Sequence, residues 1–286
     1  MDNRKVVIVT GCSKNGIGYS LCEEFAKNNC RVFATARRVE AMEGLEALGI
    51  EKLHLDVCDR KSIDKAVKTV IEQAGRIDIL VNNAGVLKVG PIIEMPLEEI
   101  KSIYDANVFG VISVIQAVVP FMAKQGSGKI VNVGSVAGIL NYPFGGGYNS
   151  SKAALHSLSD ILRLELKPLN IDVMVIAPGA VATSIAKNAS DNQGYELSSD
   201  SPYSTIRNAI QKAIVQRINI SQEGTKTTSE AFAKNIARQI LRKNSLYIFA
   251  GDNSLLGYIV GYFFPRWLLD LYFLRLFGLW GLKRRN

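Results

Sequence analysis

The sequence has few residues of the kinds that build metal centres and disulfide frameworks. Its 286 residues include two histidines and four cysteines, and the cysteines all lie early in the chain, at Cys12, Cys22, Cys30 and Cys58. None of them forms a C-x-x-C pair. The first residues, MDNRKVVIVTGC, also lack the long apolar core of a secretory signal. We therefore predict no metal site, reduced thiols and a cytosol-facing protein.

The sequence also lacks a concentrated basic stripe of the kind that binds nucleic acid. The net charge is +8, but half of this excess falls after Ser254, where the charged residues are Arg266, Asp270, Arg275, Lys283, Arg284 and Arg285. The remaining positive charge is dispersed along the chain and has no interleaved aromatic residues. We therefore expect no nucleic-acid partner.

What the sequence does contain is a regular alternation of strand-like and helix-like segments. Hydrophobic residues make up 48% of the chain and charged residues 21%, as in ordinary globular proteins. The apolar, strand-like runs are KVVIVT, RVFATA, KLHLDV, IDILVNNAG, GKIVNVGS and IDVMVIAPG. Segments with helical periodicity, such as RKSIDKAVKTVIEQAG, separate them. This alternation predicts a doubly wound parallel sheet of the Rossmann type over residues 1–250, with its ligand at the carboxyl ends of the strands.

A glycine-rich segment follows the first strand-like run. It reads TGCSKNGIGYS and contains Gly11, Gly16 and Gly18 at the expected turn from strand to helix. Glycines at such a turn let the backbone approach a pyrophosphate, which the helix N-terminus then stabilises. The segment therefore predicts a dinucleotide site, with an ordinary strand-to-helix connection as the alternative.

The end of the second strand-like run indicates which dinucleotide is bound. The run ends FATARR, with Ala36 in the region where NAD enzymes usually carry an acidic residue. Arg37 and Arg38 follow, and two guanidinium groups suit the 2′-phosphate of NADP(H). We predict NADPH/NADP⁺ as the cofactor, and the alternative is a solvated basic turn.

Tyr148 and Lys152 are four residues apart at the start of a segment with helical periodicity, YNSSKAALHSLSDILRLELKP. Side chains at this spacing share one face of a helix. A nearby ammonium stabilises a phenolate and so lowers the pKa of the tyrosine from its usual value of about 10. The pair suggests a general acid, and the alternative is a surface tyrosine beside a solvated lysine.

Together these motifs resemble the classical short-chain dehydrogenase/reductase family across the first 250 residues. The matching segments are TG…GIG at 10–18, LDV at 55–57, NNAG at 82–85, Asn107, Ser135, YNSSK at 148–152 and PGAVAT at 178–183. The sequence departs from the family in one respect. Four residues rather than the usual three separate Gly11 from Gly16, which lengthens the phosphate turn.

The resemblance implies a catalytic tetrad formed by Asn107, Ser135, Tyr148 and Lys152. Tyr148 would protonate a carbonyl oxygen as hydride arrives, and Ser135 would donate a hydrogen bond to the same oxygen. Lys152 would lower the pKa of Tyr148 and hold the nicotinamide ribose. Asn107 would carry a backbone kink and a water molecule that links Lys152 to solvent.

The resemblance also implies a set of cofactor contacts. They are Gly11, Ser13, Lys14, Gly16, Ile17, Gly18, Arg37, Arg38, Asp56, Val57, Asn83, Ala84, Gly85, Tyr148, Lys152, Pro178, Gly179 and Thr183. Several have structural alternatives: Asp56 as a helix cap, the glycines as turns and Thr183 as the start of a loop. We interpret His54 and His156 as structural residues.

Further segments resemble the NADPH-dependent reductases of 1-acyldihydroxyacetone phosphate. These segments are TGCS, ARR, RLELKP and PRWLLD. The resemblance implies a lipid-like ketone substrate and lipid metabolism on the endoplasmic reticulum or a lipid droplet. The alternative enzyme is an alcohol dehydrogenase or ketone reductase of steroids or specialised metabolites. A non-catalytic NADP(H)-binding regulatory module would require a broken tetrad, and the tetrad is intact.

Residues 185–245 correspond to the variable substrate region of the family. Basic residues occur there at Lys187, Arg207, Lys212, Arg217 and Lys226. A phosphate monoester would need one or two of them in the pocket. A solvated basic helix explains the same residues equally well.

The C-terminal tail, residues 251–286, is apolar but lacks an uninterrupted run long enough to span a membrane. Pro265 and Arg266 divide it into two shorter apolar halves, and a spanning helix needs about 20 apolar residues. We predict a hairpin or monotopic anchor embedded in a cytosol-facing membrane. The alternative is an extension buried against a second subunit of a homodimer.

Overall fold

The computed structural model describes residues 3–183, 195–220, 225, 227–242 and 245–282. Seven parallel strands form one sheet in the order β3-β2-β1-β4-β5-β6-β7. The strands are β1 Val6–Thr10, β2 Arg31–Ala36, β3 Glu51–His54, β4 Ile79–Asn82, β5 Gly128–Val133, β6 Ile171–Pro178 and β7 Tyr247–Ala250. The predicted doubly wound parallel sheet is confirmed.

Helices cover both faces of this sheet. They are α1 Ile17–Lys27, α2 Arg60–Ala74, α3 Leu97–Tyr104, α4 Gly110–Gln125, α5 Gly146–Glu165, α6 Arg207–Asn219, α7 Ser229–Arg242, α8 Ser254–Phe263 and α9 Arg266–Leu276. On one face, Phe25 of α1 and Phe232 of α7 pack in a core with strand residues. On the other face, Ile63 of α2, Val118 of α4 and Leu155 of α5 do the same. The central strands are apolar along their length because both of their faces are buried.

Helices α3 and α4 form one continuous helical segment that is interrupted by a π-helical turn at Asp105–Phe109. By length and composition, Leu97–Gln125 is the one helix in the described chain that could cross a membrane. More than half of its most apolar stretch is buried inside the protein. Apolar residues of α4, including Val114, Ile115 and Met122, belong to the core. We therefore interpret this segment as a core helix that carries Asn107 into the site.

The two helices of the tail pack on the α/β body. Gly257 of α8 approaches the turn after β5 so closely that an added Cβ would lie 2.4 Å from Val136 Cγ2. Leu269 and Phe273 of α9 are buried in a small cluster with Leu140 and Ala213. The tail helices therefore pack directly against the α/β body. The boundary between body and tail after residue 250 stays a prediction. Lys283, Arg284 and Arg285 lie outside the described residues.

Candidate active site

A cavity of about 850 Å³ opens at the carboxyl ends of the central strands. Its lining includes the predicted site residues Ile17, Asn83, Gly85, Ser135, Tyr148, Lys152, Pro178, Gly179 and Thr183. These residues lie at or after the carboxyl ends of β1, β4, β5 and β6, or in the first two turns of α5. Residues of helices α6, α8 and α9 also line the cavity. The parallel topology thus brings together residues that are far apart in the sequence.

Tyr148 lies in the first turn of α5, and burial has the largest effect on the pKa of its phenol. Burial raises its pKa above the usual value because a phenolate is poorly solvated there. A hydrogen bond with the Ser135 side chain and the positive charge of Arg217 both act in the opposite direction. This differs from the lowered pKa that Lys152 alone predicts. At this position, desolvation of the phenol outweighs the hydrogen bond and the neighbouring charge.

Lys152 is buried one helical turn after Tyr148. Its Nζ atom donates a hydrogen bond of 2.8 Å to the carbonyl oxygen of Val133. The same atom lies 5.8 Å from the ring centroid of Tyr148. Burial lowers the pKa of Lys152 to about 8, so the ammonium form still predominates at neutral pH. The predicted pair therefore shares one side of the site.

Asn107 is buried in the π-helical turn, where its amide connects three segments of the site. Its Oδ1 atom accepts a hydrogen bond of 2.8 Å from the backbone N–H of Val86. Its Nδ2 atom donates to the carbonyl oxygen of Val86 and to Ser151 Oγ, each at 3.0 Å. Asn107 thereby fixes the loop after β4 against α5. The turn occurs where the resemblance implies a kink.

Ser135 is positioned by His156, which the sequence indicated only as a structural residue. The Nε2 atom of His156 accepts a hydrogen bond of 3.3 Å from the backbone N–H of Ser135. Burial, followed by the nearby charge of Lys152, lowers the pKa of His156 to about 4, so the imidazole is neutral at pH 7. The sequence did contain a signal that places His156 at the site, because residues 148, 152 and 156 lie on one helix face at intervals of four.

The glycine-rich turn has the geometry of a phosphate cradle. Gly11 has a φ angle of +72°, and an added Cβ would lie 2.6 Å from the Cα atom of Ala84. An added Cβ at Gly18 would lie 2.4 Å from Asn83 Nδ2. Gly16, at the N-cap of α1, supplies no side chain that would bind the first amides of the helix. The turn therefore fits the pyrophosphate of a dinucleotide.

The extra residue in this turn is accommodated by a left-handed conformation. Asn15 has a φ angle of +64°, which asparagine tolerates better than most residues. The turn closes through a hydrogen bond of 3.1 Å from Gly16 N–H to the Ser13 carbonyl. Lys14 N–H donates to the carbonyl oxygen of Ala41 at 2.8 Å. Its backbone is thus tied to the segment after β2.

The remaining predicted cofactor residues follow β2 and β3, at the same edge of the sheet. Arg37 and Arg38 are exposed directly after β2. Asp56 Oδ1 accepts a hydrogen bond of 2.9 Å from Cys58 N–H. The cap of α2 is Asp59, which accepts from Lys61 N–H. The structure thus does not support the alternative in which Asp56 caps this helix.

The basic residues of the variable region have different environments. Arg207 donates hydrogen bonds to the carbonyl oxygens of Leu197 and Ser198, and Lys212 is exposed. Arg217 is buried and lines the cavity. Lys187 and Lys226 lie outside the part of the chain that the structure describes.

Comparison with known proteins identifies the family. A family model described as short chain dehydrogenase matches residues 5–194. The chain therefore belongs to the short-chain dehydrogenase/reductase family and is an oxidoreductase. Members of this family use NAD or NADP.

Individual relatives match over nearly the whole chain. Short-chain dehydrogenase virD of Hypocrea virens is 33% identical over 283 residues, which cover 98% of this chain and 95% of that protein. A solved short-chain dehydrogenase from Streptomyces avermitilis has a TM-score of 0.78 and 29% identity, covering 97% of this chain and 99% of that chain. The closed form of serine dehydrogenase complexed with NADP⁺ has a TM-score of 0.71 and 26% identity, covering 85% of this chain and 92% of that chain.

Proposed function

We propose that this protein is an NADPH-dependent carbonyl reductase of a lipid-like ketone. 1-Acyldihydroxyacetone phosphate is the first candidate substrate. The observation that carries the proposal is the cavity itself, in which Ser135, Tyr148 and Lys152 meet an apolar wall. Leu256 and Val260 of α8 and Leu269 of α9 form part of this wall. Such a site combines a carbonyl-activating group with room for an acyl chain.

Two donors would activate the carbonyl group. The hydroxyl groups of Ser135 and Tyr148 would donate hydrogen bonds to its oxygen and stabilise the negative charge that develops there. Bound NADPH supplies the hydride that reaches the carbonyl carbon. Tyr148 would then transfer its proton to the oxygen and complete the alcohol. Because burial raises the pKa of Tyr148, the phenol keeps its proton until negative charge develops on the carbonyl oxygen.

The other residues of the tetrad would maintain these donors. Lys152, held by the carbonyl oxygen of Val133, would bind the nicotinamide ribose and supply positive charge as Tyr148 loses its proton. Asn107 would keep the loop after β4 in register with α5. Both residues act on the geometry and charge of the site.

The preference for NADPH rests on the exposed pair Arg37 and Arg38. They follow β2 on the same sheet edge as the glycine-rich turn, and Ala36 presents no carboxylate there. Two guanidinium groups would bind the 2′-phosphate through charge-assisted hydrogen bonds.

We also propose that the tail holds the enzyme on a cytosol-facing membrane, of the endoplasmic reticulum or a lipid droplet. Helices α8 and α9 line the cavity with one side and expose Phe263 and Trp267 on the other. An acyl substrate could then enter the cavity from the lipid surface.

A substrate panel tests the proposal. Purified full-length protein would be assayed for NADPH and NADH oxidation with an acyl-ketone phosphate, a steroid ketone and a small neutral ketone. We expect the highest kcat/KM with NADPH and the acyl ketone. A higher value with the steroid ketone would favour the alternative enzyme, and oxidation with none of the three would contradict the proposal.

A further inference from the structure

The guanidinium group of Arg217 is buried in the wall of the cavity with poorly satisfied donors. Arg217 belongs to α6 and is 4% exposed. Its Nε atom has no hydrogen-bond partner among the described residues. Its Nη2 atom reaches Asn149 Oδ1 at 3.5 Å, the outer limit of a hydrogen bond. Its Cζ atom lies over the ring of Tyr142, 5.1 Å from the centroid. The protein therefore leaves hydrogen-bonding capacity of this cation unused.

No carboxylate balances this charge in the part of the chain described by the structure. The ion pairs formed there do not include Arg217. Asp252 also lines the cavity, and its Oδ1 atom accepts a hydrogen bond from the hydroxyl of Thr227. A guanidinium group stays protonated at any working pH. Since a buried, unpaired charge is unfavourable, an anionic ligand would stabilise this arrangement.

We propose that Arg217 binds an anionic group, a phosphate monoester or a carboxylate, that the ketone substrate carries near its reacting carbonyl. The inference deepens the proposed function and rests on it. Arg217 and Tyr148 both line the cavity, and the charge of Arg217 acts on the Tyr148 phenol, so the anion and the carbonyl would occupy neighbouring parts of the cavity. The planar donors of a guanidinium match both anions. The apolar remainder of the substrate would lie along α8 and α9.

Binding measurements test this proposal without turnover. Full-length protein in detergent, saturated with NADP⁺, would be titrated calorimetrically with hexyl phosphate, hexanoate and hexanol. We expect wild-type protein to bind one or both anions more tightly than the alcohol, and the tighter of the two identifies the anion. Arg217→Met should weaken anion binding at least about 30-fold, or about 2 kcal/mol, and change hexanol binding less than about 3-fold. The control Lys212→Met, at an exposed position of the same helix, should change neither.

Turnover separates anion recognition from a general effect on the site. Arg217→Met should raise KM for an anionic ketone much more than for a neutral ketone of the same chain length, and Arg217→Lys should recover part of the loss. If the methionine variant does not fold, the lysine variant should still bind hexyl phosphate less tightly than wild type because it loses the bidentate geometry.

Three results would overturn the proposal. The first is a wild-type protein that does not prefer the anions. The second is equal weakening of anion and hexanol binding by Arg217→Met. The third is an equal rise of KM for charged and neutral ketones in that variant. Anion binding through Arg217 without reduction of any ketone would instead contradict the proposed function and leave the anion site in place.

Discussion

At the scale of single residues, Tyr148 is the most direct test of the proposed chemistry. Tyr148→Phe keeps the ring and removes the proton, so turnover should fall at least about 100-fold. NADPH binding, measured by cofactor fluorescence, should persist because the phenol hydroxyl is not needed to hold the pyrophosphate. Tyr203→Phe, outside the cavity lining, is the matched control. A phenylalanine variant with near wild-type turnover would mean that another group delivers the proton.

His156 gives a prediction about the pH dependence of stability. Its pKa is about 4 in the folded protein, below its ordinary value of about 6.5. Between these values the unfolded chain binds a proton that the folded protein does not, so stability is lost as pH falls from 6.5 towards 4. The full contribution is about 3 kcal/mol.

Substitution of His156 tests this contribution. Between pH 6.5 and 4.5, the unfolding free energy of the wild type should fall by about 2 to 3 kcal/mol more than that of the His156→Gln variant. Urea unfolding at the two pH values measures the difference. His54→Gln, at the exposed histidine of β3, is the matched control. An unchanged pH dependence in the His156 variant would show that the pKa of this imidazole is the same in the folded and the unfolded protein.

The role of a residue could be predicted where spacing along the sequence determines it. It could not be predicted where tertiary packing determines it. Residues 148 and 152 share a helix face by geometry, so the sequence could pair them. The rise of the Tyr148 pKa depends on how completely the assembled fold removes water from the phenol. The burial of Arg217 likewise depends on where α6 packs, and the sequence offered five basic candidates without ranking them.

At the scale of elements, the turn after β2 carries the choice of cofactor. Replacing Arg37 and Arg38 together by alanine should weaken NADPH binding by about 2 to 4 kcal/mol, because charge-assisted hydrogen bonds to the 2′-phosphate are lost. NADH affinity should change little. Arg60→Ala, at an exposed residue of α2 that pairs with Asp64, controls for the loss of surface charge. Equal weakening of both cofactors would assign the arginines to the fold or to the shared pyrophosphate.

The strands show which elements a sequence reveals. The six predicted runs correspond to β1 through β6, because long apolar runs bounded by turns are a strong signal. Strand β7 was missed. It has four residues, two of them half-buried, and lies beyond the last of the six predicted runs. The π-helical turn was predicted only through the kink that the family resemblance implies at Asn107.

At the scale of the whole molecule, the outer face of the tail helices distinguishes a membrane anchor from a subunit interface. Large apolar side chains are exposed along it: Leu255, Ile259, Tyr262, Phe263 and Trp267. Burying four such side chains among acyl chains would contribute about 6 to 12 kcal/mol before ordering costs. Basic residues near anionic headgroups add about 1 kcal/mol each, a term that salt weakens. Apolar insertion should therefore dominate membrane binding.

This balance predicts how the protein will fractionate. Full-length protein should sediment with membranes in high salt and be released by detergent. Phe263→Glu combined with Trp267→Glu should shift it to the soluble fraction, because these side chains are 75% and 65% exposed and their replacement leaves the cavity lining intact. Leu164→Glu, at a 72% exposed leucine of α5, should leave sedimentation unchanged. A wild-type protein recovered without detergent as a soluble dimer, and dissociated by the double substitution, would instead assign this face to a second subunit.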